Sequence, residues 1–291
     1  MKTLLVLGGP TASGKTTLAI ELARHFDTAI INGDSRQFYR EMRIGNARPT
    51  EAELAQAPHY FVADRSLQDP LTAGRFAELA LERLELIFVE NDYAMLTGGS
   101  GLYLRALGEG LDEFPEVPHD VARRVEAMSH PELLMALDAA DPTYAATVDR
   151  ANSRRLQRAL KVCYASGKPY SSFLGNRPER PFRSVYLRTH PLRELLYARI
   201  NQRVDQMLAD GLEAEARALW PYRELPVLQT VGYQEWWPYF AGKYDRARAV
   251  ELIKRNSRRY AKRQVTWFGR GDQYVPVNTF AEAMVAIGRY R

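Results

Sequence analysis

Short apolar runs bounded by glycine-rich turns alternate, over much of the chain, with segments whose apolar residues recur every three or four positions. Thr3–Leu7 (TLLVL) is a β-rich run of the kind that forms a buried parallel strand. After a glycine loop, Thr17–Arg24 carries helical spacing at Leu18, Leu22 and Ala23. Thr28–Asn32 and Tyr93–Thr97 predict two more strands, and Val185–Thr189 predicts a strand that returns to the same sheet, followed by an amphipathic helix over Leu192–Leu208. Strands separated by helical segments specify an α/β fold with a parallel sheet flanked by helices. Between Pro115 and Arg183 the pattern changes: β-branched runs are few, and Asp120–Met128, Pro131–Ala139 and Ser153–Ala165 have helical spacing. The expected organisation is a discontinuous core, residues 1–112 and 184–291, interrupted by a helical insertion domain at 113–183.

Composition adds limits. The 291 residues are 46% hydrophobic and 26% charged, the balance of an ordinary globular protein and not of a disordered chain. The 40 basic against 35 acidic residues leave +5, a small excess that matters because basic residues gather near the C-terminus. Cys163 is the one cysteine, so no intrachain disulfide and no thiolate zinc site can form. No apolar run reaches the ~18 residues of a spanning helix. The opening residues lead into a strand and not a signal peptide, so the expectation is a soluble, cytoplasmic protein with no membrane association.

Gly9-Pro10-Thr11-Ala12-Ser13-Gly14-Lys15-Thr16 fits G-x-x-x-x-G-K-[ST], and it lies between a predicted strand and a predicted helix. In such a loop, backbone N–H groups face phosphate oxygens, the helix N-terminus adds partial positive charge, the lysine neutralises bridging oxygens and the threonine holds Mg²⁺. Lys15 and Thr16 are therefore candidate catalytic residues, with Thr16 as the metal ligand. The loop specifies a phosphate compound without saying which one.

The second predicted strand ends at Gly33-Asp34-Ser35-Arg36-Gln37, which places Asp34 at the carboxyl edge of a parallel sheet, where ligands bind. Asp34 could serve as general base, metal partner or N-cap. The third strand ends in Gly98-Gly99-Ser100-Gly101 with no acidic residue, so the Walker-B aspartate of a generic ATPase or GTPase is missing. Asp34 is then the leading carboxylate for the transferred group.

Together, GGPTASGKT, GDSRQFYR at 33–40, IGNARPT at 44–50, GGSGLYLRAL at 98–107, NSRRLQRAL at 152–160, SGKP at 166–169, QTVGY at 229–233 and AKRQVTWF at 261–268 resemble the tRNA dimethylallyltransferases, also called tRNA isopentenyltransferases. The resemblance runs almost end to end. It implies a P-loop NTPase-like core and transfer of a dimethylallyl group from its diphosphate to the exocyclic amine of the adenine 3′ of the anticodon, with Mg²⁺ as cofactor. It implies no obligate protein partner. By the same resemblance, Asp34 is the general base, and Asp34, Ser35, Arg36, Gln37 and Ser100 meet the tRNA. Gly232, Tyr233, Lys262, Arg263 and Gln264 are further implied tRNA contacts. Arg217 matches a position near the diphosphate; alternatively it is a surface arginine.

In Ser153–Ala165, Arg154, Arg155 and Arg158 share a broad face opposite Leu156, Leu160 and Cys163. The resemblance places tRNA contacts on this segment, at Arg154, Arg155, Leu156, Gln157 and Arg158; an ordinary solvated helix face is the alternative. Relatives tend to carry arginine directly after a valine in an earlier insertion helix, whereas here Val121 is followed by Ala122, then Arg123 and Arg124, so Arg123 is the nearest match. Ile253–Arg270 holds Lys254, Arg255, Arg258, Arg259, Lys262, Arg263 and Arg270 with no acidic residue. Like charges at helical spacing repel, so helix stability does not explain them and a polyanion partner does. Two rivals stand beside the transferase. One is a P-loop kinase using ATP on a small acceptor, and the other is an idle tRNA-binding module, which the presence of Lys15, Thr16 and Asp34 disfavours.

Overall fold

A computed structural model describes residues 1–290. Its strands are β1 (Thr3–Gly8), β2 (Ile30–Asn32), β3 (His59–Tyr60), β4 (Tyr93–Gly98), β5 (Arg183–Arg188) and β6 (Val275–Pro276). Its helices are α1 (Lys15–His25), α2 (Glu51–Leu54), α3 (Ala73–Glu90), α4 (Gly101–Gly108), α5 (His119–Glu126), α6 (His130–Ala140), α7 (Pro142–Ala145), α8 (Ser153–Ser166), α9 (Arg193–Ala209), α10 (Leu212–Leu219), α11 (Trp236–Phe240), α12 (Arg246–Phe268) and α13 (Phe280–Gly288). The chain forms two compact units, Met1–Glu109 with Arg180–Arg291, and Gly110–Glu179.

The first unit is built on a parallel sheet in the order β3-β2-β4-β1-β5-β6. All six residues of β1 are buried, because it lies between β4 and β5 with helices on both faces. Alternation sorts its side chains. Leu5 and Leu7 pack with Leu18 and Leu22 of α1, Met95 and Ile287 of α13; Leu4 and Val6 join Phe76, Leu84, Leu96, Leu104 and Phe268 on the other face. Truncating a fully buried leucine here, such as Leu5→Ala, should cost about 2–5 kcal/mol.

The register aligns Gly8 with Gly98, so β1 and β4 deliver their following loops side by side. Gly33 N–H donates to Thr97 O at 2.7 Å, which brings the end of β2 to the same edge. Only glycine fits at Gly98, where a Cβ would lie 2.5 Å from the Gly33 carbonyl carbon. That approach seats Asp34 beside Gly99.

The two-residue edge strands β3 and β6 are too short to leave a pattern, whereas α3 and α13 lie outside the expected elements although α3 carries helical apolar spacing at Phe76, Ala80, Leu84 and Ile87 behind the capping Thr72. The long basic helix starts at Arg246, where the Asp245 carboxylate caps it by accepting from Arg248 N–H, and not at Ile253. The insertion spans Gly110–Glu179 where the sequence pattern predicts 113–183. Arg180 accounts for part of the shift, since its guanidinium donates to the carbonyls of Leu107 (2.9 Å) and Ala106 (2.7 Å) at the end of α4 and so belongs to the core unit.

The second unit, α5 to α8, buries Val125, Leu133, Leu137, Leu156, Ala159 and Leu160 around its own core. Asp141 is 1% exposed and accepts from Tyr144 N–H (2.9 Å), Ser171 N–H (2.6 Å) and Ser171 O–H (2.9 Å), which ties α7 to the segment after α8. These hydrogen bonds hold its carboxyl below the usual carboxylate range despite the opposing effect of burial.

Candidate active site

The loop after β1 turns through Gly14, whose φ of +88° suits a residue without a Cβ and starts α1. Two contacts fix the loop from outside, and a third ties the glutamine that makes one of them to the end of β4. Gln264 Oε1 of α12 accepts from Thr11 N–H at 3.0 Å; Gln264 Nε2 donates to Gly99 O at 2.9 Å; Ser13 and Thr189 hydroxyls meet at 2.7 Å. The Lys15 ammonium donates to Pro10 O at 2.6 Å. Burial lowers its pKa to about 8, partly countered by the charge of Asp34 and furthered by that of Arg203. Ser13, Lys15 and Thr16 line a pocket together with Asn32, Asp34 and Arg203.

Asp34 follows β2 after the single residue Gly33 and is oriented by backbone groups. Its Oδ1 accepts from Arg36 N–H at 3.2 Å and its Oδ2 from Gly99 N–H at 3.3 Å. The first of these is the turn-capping bond that an aspartate offers, so Asp34 both shapes its turn and presents a carboxylate. Ser35 and Ser100 hydroxyls lie 3.0 Å apart, Gln37 Nε2 donates to Ala47 O at 3.0 Å, and the Arg36 guanidinium stacks 4.1 Å above the Tyr260 ring.

A second pocket adjoins the first and shares Thr11, Asp34 and Arg203 with it. Its wall carries Ile200, Val204 and Met207 of α9, Val231, and Ile253 of α12. A phosphate cradle and an apolar recess thus meet at one carboxylate. The sequence from residue 37 to 271 matches the IPP transferase family. The chain belongs to that family.

Individual members agree. The tRNA dimethylallyltransferase of Christiangramia forsetii is 46% identical over 93% of this chain and 91% of its own length, and that of Cytophaga hutchinsonii is 41% identical over 97% of each. Among solved structures, the tRNA isopentenylpyrophosphate transferase of Bacillus halodurans is 31% identical, with a TM-score of 0.74 over 100% of this chain and 95% of that one. A eukaryotic dimethylallyltransferase acting on tRNA is 26% identical, with a TM-score of 0.82 over 92% of this chain and 70% of that one.

Within this IPP transferase, several expected site residues sit elsewhere than the sequence suggests. Arg217 does not line the phosphate pocket; it pairs with Glu213 at 3.5 Å and stacks 4.2 Å over Phe240. The arginine at the loop is Arg203, whose Nη1 donates to Thr11 Oγ1 at 3.4 Å. Both arginines follow a helical apolar pattern, and only the tertiary placement of α9 distinguishes them. Leu156 and Tyr233 are 0% exposed and Gln264 is 5% exposed with both ends of its amide satisfied, so none of the three offers a surface to tRNA. Gly232 lines the second pocket but is buried, with its N–H committed to Glu235.

The basic helix divides into two parts. Lys254 is paired with Asp205 at 2.5 Å and Arg258 donates to Asn201 at 2.6 Å, both on α9, so the acidic partner missing from the helix's own sequence comes from its neighbour. Arg259, Lys262 and Arg263 are exposed. In the second unit, Arg123, Arg154, Arg155 and Arg158 are exposed and Gln157 is half-buried.

Proposed function

We propose that this enzyme moves a dimethylallyl group from dimethylallyl diphosphate to the exocyclic amine of the adenine 3′-adjacent to the tRNA anticodon, releasing diphosphate. The observation that carries the reading is the pair of pockets meeting at Asp34. A diphosphate suits the loop with Lys15 and Arg203, and a five-carbon chain suits the wall of Ile200, Val204, Met207, Val231 and Ile253. The exposed arginines and lysine of α12 add little to small-molecule phosphorylation and favour a polyanion acceptor over the kinase reading.

In the reaction, the amine nitrogen bonds to the allylic carbon as the carbon–oxygen bond breaks and its electron pair leaves on diphosphate. Lys15, the loop N–H groups and Arg203 stabilise the charge that grows there. Asp34 accepts the proton released by the amine nitrogen. An aryl amine is a weak nucleophile, so holding it against the allylic carbon contributes much of the rate. The target base leaves the stacked anticodon arm to reach Asp34, with Ser35, Arg36, Gln37 and Ser100 around it. Arg123, Arg154, Arg155, Gln157 and Arg158 of the insertion and Lys262 and Arg263 of α12 take the phosphate backbone.

The site's donors fit Mg²⁺. The Thr16 hydroxyl and the Asp34 carboxylate border the pocket, and this ion commonly keeps several waters and rides on substrate phosphates without a protein cage. Among the described residues no cluster of three acidic, histidine or cysteine side chains competes for it. Thr16 and the diphosphate would hold the ion, which would neutralise charge on the leaving group.

The test is a transfer assay with purified protein, Mg²⁺, labelled dimethylallyl diphosphate and unmodified bulk tRNA. Label should enter tRNA. ATP consumption with a small acceptor, and no label in tRNA, would replace this reading by the kinase.

A further inference from the structure

Outside the phosphate loop, one more anion-binding concavity is built into the core unit, and a side chain fills it. The backbone N–H groups of Arg43, Ile44 and Gly45 point at Glu215 of α10. Arg43 N–H reaches Oε2 at 2.9 Å, Ile44 N–H reaches Oε2 at 2.8 Å and Oε1 at 3.1 Å, and Gly45 N–H reaches Oε1 at 3.0 Å. The Tyr233 hydroxyl donates to Oε1 at 2.7 Å. Three successive backbone donors converging on one anion form a nest, the arrangement that phosphate loops use for a ligand. Among the described residues no cation is paired with Glu215, although Glu213, two residues away, carries two arginines. The carboxylate is therefore held by the 43–45 backbone and one phenol. The packing around it is tight: a Cβ on Gly45 would lie 2.5 Å from the Tyr233 ring.

The nest controls the two residues after it. Asn46 and Ala47 line both pockets. Asn46 Nδ2 donates to Arg36 O at 3.1 Å, and Ala47 O accepts from Gln37. Arg36 N–H in turn donates to Asp34 Oδ1. A continuous set of hydrogen bonds thus runs from Glu215 through the 43–47 loop to the turn that carries Asp34.

We infer that Glu215, seated by Tyr233, is a positioning residue for transfer: its charge holds the 43–47 loop in the shape that orients the Asp34–Gln37 turn against the acceptor. The inference rests on the proposed transferase reading for its kinetic arm and on the geometry alone for its exchange arm. Glu215→Gln keeps the size but turns an N–H₂ group toward backbone donors. Misplacing the turn by about an ångström should lower kcat roughly ten- to a hundredfold. Affinity for inorganic diphosphate, which lacks the five-carbon chain, should fall far less than kcat, because the phosphate loop is fixed by Gln264 and Thr189. Glu215→Asp, which keeps the charge, should recover part of the loss. Formate added to Glu215→Ala should restore activity by refilling the nest, an effect that lost folding stability does not produce.

Hydrogen exchange of the folded full-length protein gives the second readout. Amides 43–47 should exchange faster in Glu215→Gln than in wild type, while the amides of β1 and β4 stay protected. Wild-type kcat in Glu215→Gln, or unchanged protection at 43–47, would overturn the inference. Absence of tRNA transfer by the wild type would overturn the functional reading instead and leave the exchange result to judge the nest. If Glu215→Ala does not fold, Glu215→Asp and Tyr233→Phe carry the same comparison, the latter removing one donor and costing less than Glu215→Gln.

Discussion

Arg203 Nη1 donates to Thr11 Oγ1 at 3.4 Å, a contact between residues 192 positions apart that puts a second cation beside Lys15. Arg203 is exposed and borders both pockets, which makes an anionic ligand its natural partner. Arg203→Ala should raise the KM for dimethylallyl diphosphate at least tenfold, by the ~1.5–3 kcal/mol of a charge-assisted bond. Arg217→Ala should change it less than twofold, because that arginine already sits on Glu213 and Phe240. Steady-state kinetics of the two variants side by side decides between the positions.

Lys15, with its pKa lowered to about 8, supplies a pH signature. Above pH 8 the neutral lysine gains ground in the free enzyme, and a bound diphosphate favours the ammonium, so binding should take up a proton. Affinity for inorganic diphosphate should therefore weaken as pH rises through 8. Calorimetry in two buffers of different ionisation enthalpy measures the uptake, and Lys15→Met should abolish it. The folded pKa lies below the unfolded 10.5, so the charged lysine penalises the native state below pH 8, and that penalty fades between pH 8 and 10.5.

Asp34→Asn keeps the size and one of the two acceptor bonds, turns an N–H₂ group toward the other backbone donor, and removes the base. We expect turnover to fall by about 10²–10⁴, with tRNA and diphosphate binding changed little. Single-turnover transfer and filter binding on the same preparation separate the two effects, and near wild-type turnover would remove Asp34 from its role.

Lys262→Ala with Arg263→Ala should weaken tRNA binding and flatten its salt dependence, by ~0.7–0.9 in the logarithmic slope for each phosphate no longer neutralised. Lys254→Ala should leave that slope unchanged, since Lys254 serves Asp205. Its cost should appear as at most about 1 kcal/mol of stability, the worth of a half-exposed ion pair.

The phosphate loop, the parallel order of its strands and Asp34 at the sheet edge are legible in the chain, because each depends on local pattern: a glycine spacing, a β-rich run, a turn. Arg203 is not. It and Arg217 lie in similar amphipathic surroundings, and only the packing of α9 against the loop distinguishes them. Gln264 misleads for a related reason: polar on a basic helix, it reads as a nucleic-acid contact until Thr11 and Gly99 are found at its two ends. Glu215 gives no signal, since a carboxylate that binds backbone amides leaves no mark in the sequence of its partners.

The position of β1 between β4 and β5 sets a timetable for synthesis. Thr3 pairs with Arg183, so β1 waits for about 180 further residues of synthesis before its second neighbour exists. The insertion, with a hydrophobic cluster of its own, has been completed by then and can fold ahead of the sheet that its chain interrupts. Gln264 arrives later still. A nascent or truncated chain that ends before α12 would carry every residue of the phosphate loop yet lack the amide that pins it to the β4 edge, so the loop's final shape waits for α12.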